Sequence, residues 1–562
     1  MKRGLILTLG LLLAIPCVAH AAKEDSVLRA KEGAANLLRG KYEEAIVSFD
    51  SALEARDLAD VNRANILNDR GVAKWRLKRT MDAIADFNDS VKLFPDYAIV
   101  YNNRGNALLD IGEAQQAVLD FTRAIELAPG YGAAFNNRGN ALLMLGRGEE
   151  ALQDFRKAVR LMPTNAVPYN GRGKTHTALG RPFAGVRDFS KALTLNAKYD
   201  GARRNRGAAY LQLESDVDAV KDYTELIAQN PEDAQLYLAR GKAYARVRNY
   251  NVAVKDLSKA ISIDPGLAEA FRERGSLYLG IKQYDKARED LSAALSLNEN
   301  DTLALVARAS AHWRLGLPEE GLGDVDKALT NAPNNAEALA IRGQIYESVG
   351  RTEEAATDFK AALEADPNQS AARAALEKMG IAPPPVEREY IGKSVKGWQV
   401  SRDTQRQYFA TNRRYPKLRV RLEMYGEGEP EIRDWTLMKH TLQGIGLLRY
   451  SAGAFGKENA RTYEYTTIID MWKAKVVAVE PYAWGNREAE WEWKMASVVV
   501  TDPDGVANEI TLRTAPRDTY GESGSFWSND GWWSEGGQSR PAPAPRRRAP
   551  SGGGGLFDWL FR

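Results

Sequence analysis

Between residues 98 and 129, apolar and small residues fall at Ala98, Tyr101, Gly105 and Leu108, then at Ala117, Phe121 and Ala124, with Gly112 between the groups and Pro129 after them. Steps of three and four residues put each group on one face of a helix, so the stretch predicts two amphipathic helices joined by a turn. Gly105 and Ala117 are small where the paired helices cross, Tyr101 and Phe121 are large where space must be filled, and Pro129 stops the second helix. The pattern recurs every 34 residues. Arg stands at 70, 104, 138, 172, 206, 240, 274, 308 and 342, followed by Gly in every case except Ala309. Pro stands in one register at 95, 129, 163, 231, 265, 333 and 367, replaced by Ala197 and Glu299.

This period, with these small and large positions, resembles the tetratricopeptide repeat over residues 26–369. A divergent further copy opens the array with Gly33, Gly40, Tyr42, Ala45, Phe49 and Ala52. The resemblance implies an all-α solenoid coiled as a right-handed superhelix, with a concave groove lined by the first helix of each unit. One helical hairpin cannot bury its own apolar face, so stability must come from stacking, with a closing helix expected at 370–379. The solenoid is expected to fill residues 22–380.

One feature departs from the family, which usually has an apolar residue where Arg104 stands. Asp120 follows sixteen residues later, and the same Arg and Asp recur in nine units, while the divergent first copy has Glu32 and Ser48. Pairing within a unit leaves no member orphaned, so intra-unit ion pairs are expected, as scaffolding rather than as a row of anion-binding arginines.

By resemblance, the positions facing the groove carry Asn68, Asn102, Asn136 and Asn170, and one turn further on Asn106, Asn140 and Lys174; Arg204, Lys242 and Arg272 continue the stripe in basic form. Asparagine both donates and accepts, so such a row can bond a peptide backbone without reading its side chains. Helices about 10 Å apart offer one Asn for roughly every three residues of an extended chain. The competing reading is a tolerated polar face, and Asn103 and Asn137 stand beside this row, so either of each pair can be the groove residue. The candidate binding set is Asn68, Asn102, Asn106, Asn136, Asn140, Asn170, Lys174 and Arg204.

Pro383, Pro384 and Pro385 end the period, giving a Pro-rich linker at 381–386. Residues 387–516 predict a small, mainly antiparallel β domain: 418–424 alternates, 475–484 and 490–501 read as strands, and 502–505 is a turn into 506–513, with a helix expected over 434–442. Ten of the twelve tryptophans lie after residue 390. Exposed aromatics would suit a glycan, but Trp491 and Trp493 alternate with Glu490 and Glu492, which is how a strand fills a core. Residues 517–562 have the composition of a disordered tail, ending in the apolar cluster Leu556, Phe557, Trp559, Leu560 and Phe561, a candidate docking motif.

Lys2 and Arg3 precede an apolar run over 5–15 and a small-residue site at Ala19 and Ala21, the build of a signal peptide cleaved after Ala21. Export to the periplasm or beyond is therefore expected, with no transmembrane anchor in the mature chain. Net charge is +3, and +1 without Lys2 and Arg3, which offers no global attraction to nucleic acid. Cys17 is the only cysteine, and His176, His312 and His440 lack ligand spacing, so neither metal nor cofactor is expected. Gly426-Glu427-Gly428 lacks the third glycine of a dinucleotide site, and Gly521-Glu522-Ser523-Gly524-Ser525 lacks the last glycine of a nucleophile elbow. The chain therefore reads as a scaffold for protein or peptide partners rather than an enzyme, with no catalytic residue assigned. The alternative is a cell-envelope module whose C-terminal domain binds or processes glycan.

Overall fold

The computed structural model describes residues 21–54, 58–384 and, in the C-terminal part, 389–402, 407–412, 415, 418–424, 429–438, 445–455, 461–471, 475–484, 487–493, 497–502 and 507–512. The expected leader and its cleavage site, apart from Ala21, lie outside these residues, as do the tail and its apolar cluster. Two units divide at residue 387.

The first unit is helical throughout. Twenty-one helices are described, pairing as hairpins from Ala21–Leu38 with Tyr42–Glu54 through Ala336–Ser348 with Thr352–Ala365, and closed by Ser370–Lys378. The closing helix buries Ala372 and Leu376 on the stack. Gln369 caps its start by accepting from the Ala371 N–H.

Glycine after each arginine has a packing cause. A Cβ on Gly71, Gly105, Gly173 or Gly343 would stand 2.6–2.7 Å from the ring of Phe87, Phe121, Phe189 or Phe359 on the paired helix, so only hydrogen fits beneath a phenyl ring. Where the small residue grows to Ala309, its partner shrinks to the buried Val325. The turn between the two helices needs a left-handed residue at the same register. Gly112, Gly146, Gly180, Gly316 and Gly350 supply it freely, while Lys78, Glu214, Arg248 and Lys282 adopt φ of 53–66°.

The second unit is a set of antiparallel meanders. Strands β1 (Glu389–Val395), β2 (Trp398–Arg402), β3 (Tyr408–Asn412) and β4 (Arg419–Arg421) form one sheet. Strands β5 (Glu431–Leu437), β6 (Ile445–Phe455), β7 (Arg461–Asp470), β8 (Lys475–Trp484) and β9 (Arg487–Glu488) form a second. Strands β10 (Glu490–Trp493), β11 (Ser497–Thr501) and β12 (Ala507–Thr511) form a third. The β1–β2 turn places Lys396 and Gly397 both at positive φ, the requirement of a tight two-residue hairpin.

Two expectations are corrected here. Asp434 to Leu437 belong to strand β5 rather than a helix, because Ile432 and Trp435 turn inward across a register shift while Glu431 and Arg433 stay exposed. Residues 490–501 are not one strand but the antiparallel pair β10 and β11, with Trp491 opposite Val500. Tryptophan fills the interior: Trp398 and Trp435 are buried with ring centroids 4.9 Å apart, and Tyr415 closes the cluster. Trp491 packs against the core of Ile445, Ile468, Val498, Val500 and Ile510, while Glu490 and Glu492 are exposed.

Candidate functional site

Two rows of polar side chains run along the first helices of the repeats. In the first row, each arginine donates through Nε and Nη2 to both oxygens of the aspartate sixteen residues later, with Nη2 distances of 2.6–2.9 Å across Arg70–Asp86 to Arg342–Asp358. All nine pairs are intra-unit, as the sequence predicts. The aspartates are buried beside the small-residue crossing, where bidentate geometry offsets their desolvation. Bonding to Asp120 holds the Arg104 guanidinium above its ordinary range, as Asp256 does for Arg240.

Seven of these arginines reach a second partner in the preceding unit. Nη1 donates to Asn88 from Arg104, Thr122 from Arg138, Ser190 from Arg206, Thr224 from Arg240, Ser258 from Arg274, Ser292 from Arg308 and Asp326 from Arg342, at 2.8–3.2 Å. Each acceptor stands sixteen residues before its arginine, so one guanidinium clasps two units. The sequence held this signal as a short polar residue two places after seven of the nine aspartates, the exceptions being Arg156 after Asp154 and Lys360 after Asp358.

The second row is the asparagine stripe. Asn68 is buried, accepts from Asn103 Nδ2 at 2.9 Å and donates to Asp69 at 3.1 Å. Asn102 is buried and accepts from Asn137 Nδ2 at 2.9 Å, and Asn106 donates to the Asn102 carbonyl oxygen at 2.9 Å. Asn170 is half-buried, accepts from Asn205 Nδ2 at 2.9 Å and donates to the Tyr199 hydroxyl at 3.2 Å. Asn136 donates to Asn137 at 3.2 Å, while its Oδ1 is buried without a hydrogen-bond partner. Asn140 is half-buried and Lys174 exposed. The stripe is thus a ladder of amide bonds between consecutive first helices, offset by 35 residues. Asn103, Asn137 and Asn205, which the candidate set omits, are its donors. Asn140, Asn170, Lys174 and Arg204 are the candidates that reach solvent most readily.

From Arg204 onward, charge replaces the amides. Arg204 pairs with Asp233 at 2.7 Å, Lys242 with Glu269 at 2.7 Å and Arg272 with Asp301 at 2.8 Å. Asp233 and Asp301 also cap the next first helix, accepting from the backbone N–H of Gln235 and Leu303. Asp69 stands where later units have Asn103 and Asn137; burial pushes its carboxyl up to about 7, partly offset by the bond from Asn68.

Residues 68–131, 102–166, 217–268, 238–302, 272–336 and 306–370 match the tetratricopeptide repeat family. No curated protein matches the chain. Among solved structures, a tetratricopeptide repeat protein from Parabacteroides merdae is 21% identical, with 50% of this chain and 97% of that one covered and a TM-score of 0.33. MamA from Desulfovibrio magneticus is 22% identical, covering 30% and 96%, with a TM-score of 0.29. The Cut9–Hcn1 hetero-tetramer of the APC/C is 13% identical, covering 64% and 84%, with a TM-score of 0.36. Among the described residues no helix is long and apolar enough to cross a membrane. Period, helical pairing and family match together establish that the helical region of this chain is a tetratricopeptide-repeat solenoid, a repeat that typically serves as a scaffold for protein–protein contacts.

Proposed function

We propose that this protein is an exported, non-enzymatic scaffold, working in the periplasm or outside the cell, whose first-helix face holds an extended polypeptide or a partner helix. The observation that carries this reading is the row of polar side chains on consecutive first helices, in which Asn140, Asn170, Lys174 and Arg204, on three consecutive first helices, reach solvent. Amides there bond backbone N–H and C=O groups, and Lys174 favours an acidic neighbour on the partner. Burial of Trp398 and Trp435 in the second unit supports the scaffold over the glycan-module reading, which needs exposed rings. The signal-peptide pattern of the first 21 residues supports export.

The test is capture of partners from an envelope extract by the full chain and by Asn140→Ala/Asn170→Ala/Lys174→Ala, with partners identified by mass spectrometry. Loss of partners from a variant with unchanged circular dichroism is expected. An unchanged partner set would remove this face from the reading. Mass spectrometry of the intact protein from the same extract checks for a new N-terminus at Ala22.

A further inference from the structure

The asparagine stripe makes the rungs Asn103 to Asn68, Asn137 to Asn102 and Asn205 to Asn170. The rung between the second and third of these would run from residue 171 to Asn136, and residue 171 is glycine. The cause is packing. The Phe155 ring lies beneath both first helices at this junction, Gly132–Met144 and Ala166–Ala178: a Cβ on Gly139 would stand 3.0 Å from it, and one on Gly171 would collide with it. While phenylalanine holds position 155, position 171 can offer no side-chain donor.

The missing rung leaves a directed chain with an open head. Asn137 gives its Nδ2 to Asn102, so its Oδ1 is the atom that accepts from Asn136 Nδ2, at 3.2 Å. That bond fixes which way the Asn136 amide points. Asn136 is 7% exposed, and its Oδ1 is a buried acceptor without a hydrogen-bond partner. Such an acceptor costs stability until a donor reaches it.

A second observation lies one turn beyond Gly171. Lys174 stands in the register of Asn106 and Asn140, is exposed, and has no ion pair among the described residues. Further along the same face, Arg204, Lys242 and Arg272 each have a carboxylate partner. The junction therefore combines an unmet acceptor on one first helix with an unmatched cation on the next.

We infer that this junction takes a side-chain carboxamide, glutamine or asparagine, from the polypeptide held on the first-helix face, an inference that rests on that reading of the face. The carboxamide N–H donates to Asn136 Oδ1 and its C=O accepts from Lys174 Nζ, with the half-buried Asn140 turning aside to admit it. An ammonium or guanidinium would meet Lys174 as a like charge, and a carboxylate has no N–H for Asn136. A neutral group with both donor and acceptor satisfies the pair, and at the end of a side chain it reaches between two helices where a main-chain amide does not. Asn136 already donates to Asn137 and Asn137 to Asn102, so the added donor polarises the whole chain in one direction.

The test is an array of nonapeptides with a serine and threonine host and one central guest, Gln, Asn, Glu, Lys or Leu, probed with the full chain. Retention on the Gln or Asn guest is expected to exceed that on Leu at least about fivefold, the size of one hydrogen bond, with Glu and Lys below both. Asn136→Leu should remove most of that preference. Lys174→Met should do the same, and because Lys174 is exposed it serves if the leucine variant misfolds. Lys191→Met, on the second helix of the unit, removes equal charge and should leave the preference unchanged. Retention that ignores the guest, a preference for Glu, or equal loss in Lys191→Met would overturn the carboxamide site and leave the groove reading standing. No retention of any peptide would overturn both.

Discussion

The first-helix row differs between its two halves. From Asn68 to Asn205 first helices are tied by neutral amides at every junction but the one at Gly171, and from Arg204 to Asp301 by ion pairs, two of them on the capping residues Asp233 and Asp301. Beneath both halves the arginine–aspartate row is the same. A shared frame therefore carries two different faces, one whose contacts ignore salt and one whose contacts are screened by it. The turns follow this division with one exception: Gly112, Gly146 and Gly180 serve the amide half and Glu214, Arg248 and Lys282 the charged half at positive φ, but the turn after the Asn68 helix uses Lys78.

The largest effect should test the shared frame. Asp120→Ala and Asp256→Ala each leave a half-buried guanidinium uncompensated, at a cost of about 3–5 kcal/mol, and the two costs should be similar in denaturant unfolding. A marked difference between them would mean that the halves differ in frame as well as in face.

Next comes the acid end of the amide ladder. Below pH 4 the Asp69 carboxyl is protonated whether the chain is folded or not. As pH rises toward 7 the unfolded chain ionises first, so stability falls through that window and stays low above it. Asp69→Asn, which extends the amide ladder in kind, should remove this fall and add up to roughly 4 kcal/mol at neutral pH. Superimposable pH profiles for the two proteins would contradict the buried carboxyl.

A smaller effect separates the faces themselves. Asn102→Ala should cost about 1 kcal/mol at any salt concentration, because it removes the acceptor of the half-buried Asn137. Arg272→Ala should cost about 1 kcal/mol in dilute buffer and much less at 1 M salt. Equal salt dependence in both variants would erase the distinction. The smallest effect is a gain: Arg248→Gly should stabilise by roughly 0.5–1 kcal/mol by relieving a left-handed backbone, whereas the same substitution at a regular helical position destabilises.

Much of this was legible in the sequence because its causes are local and periodic. Gly105 under Phe121 and Arg104 on Asp120 lie within one unit, and nine copies average out accidents. The amide ladder was half legible. Its donors Asn103 and Asn137 stand next to its acceptors, and only the stacking of one first helix on another shows that 35 residues, not 34, separate bonded partners. In the second unit no period helps. Residues 434–442 read as an amphipathic helix, but the pull of Trp398 on Trp435 places their first four residues in a strand. The alternation through 490–501 hid a hairpin because Trp491 and the facing Val498 and Val500 contribute to the same core from both strands.

The doubly bonded arginine also bears on how such a chain can change its copy number. Its partner in the preceding unit is Asn, Thr, Ser or Asp with no fixed identity, so excising one complete unit joins any arginine to an acceptor it can use. Duplication leaves the new junction equally complete. The array can thus lengthen or shorten by whole units without repair mutations elsewhere, except at the junction of Arg156 with Arg172, where an arginine takes the place of the Asn, Thr, Ser or Asp acceptor.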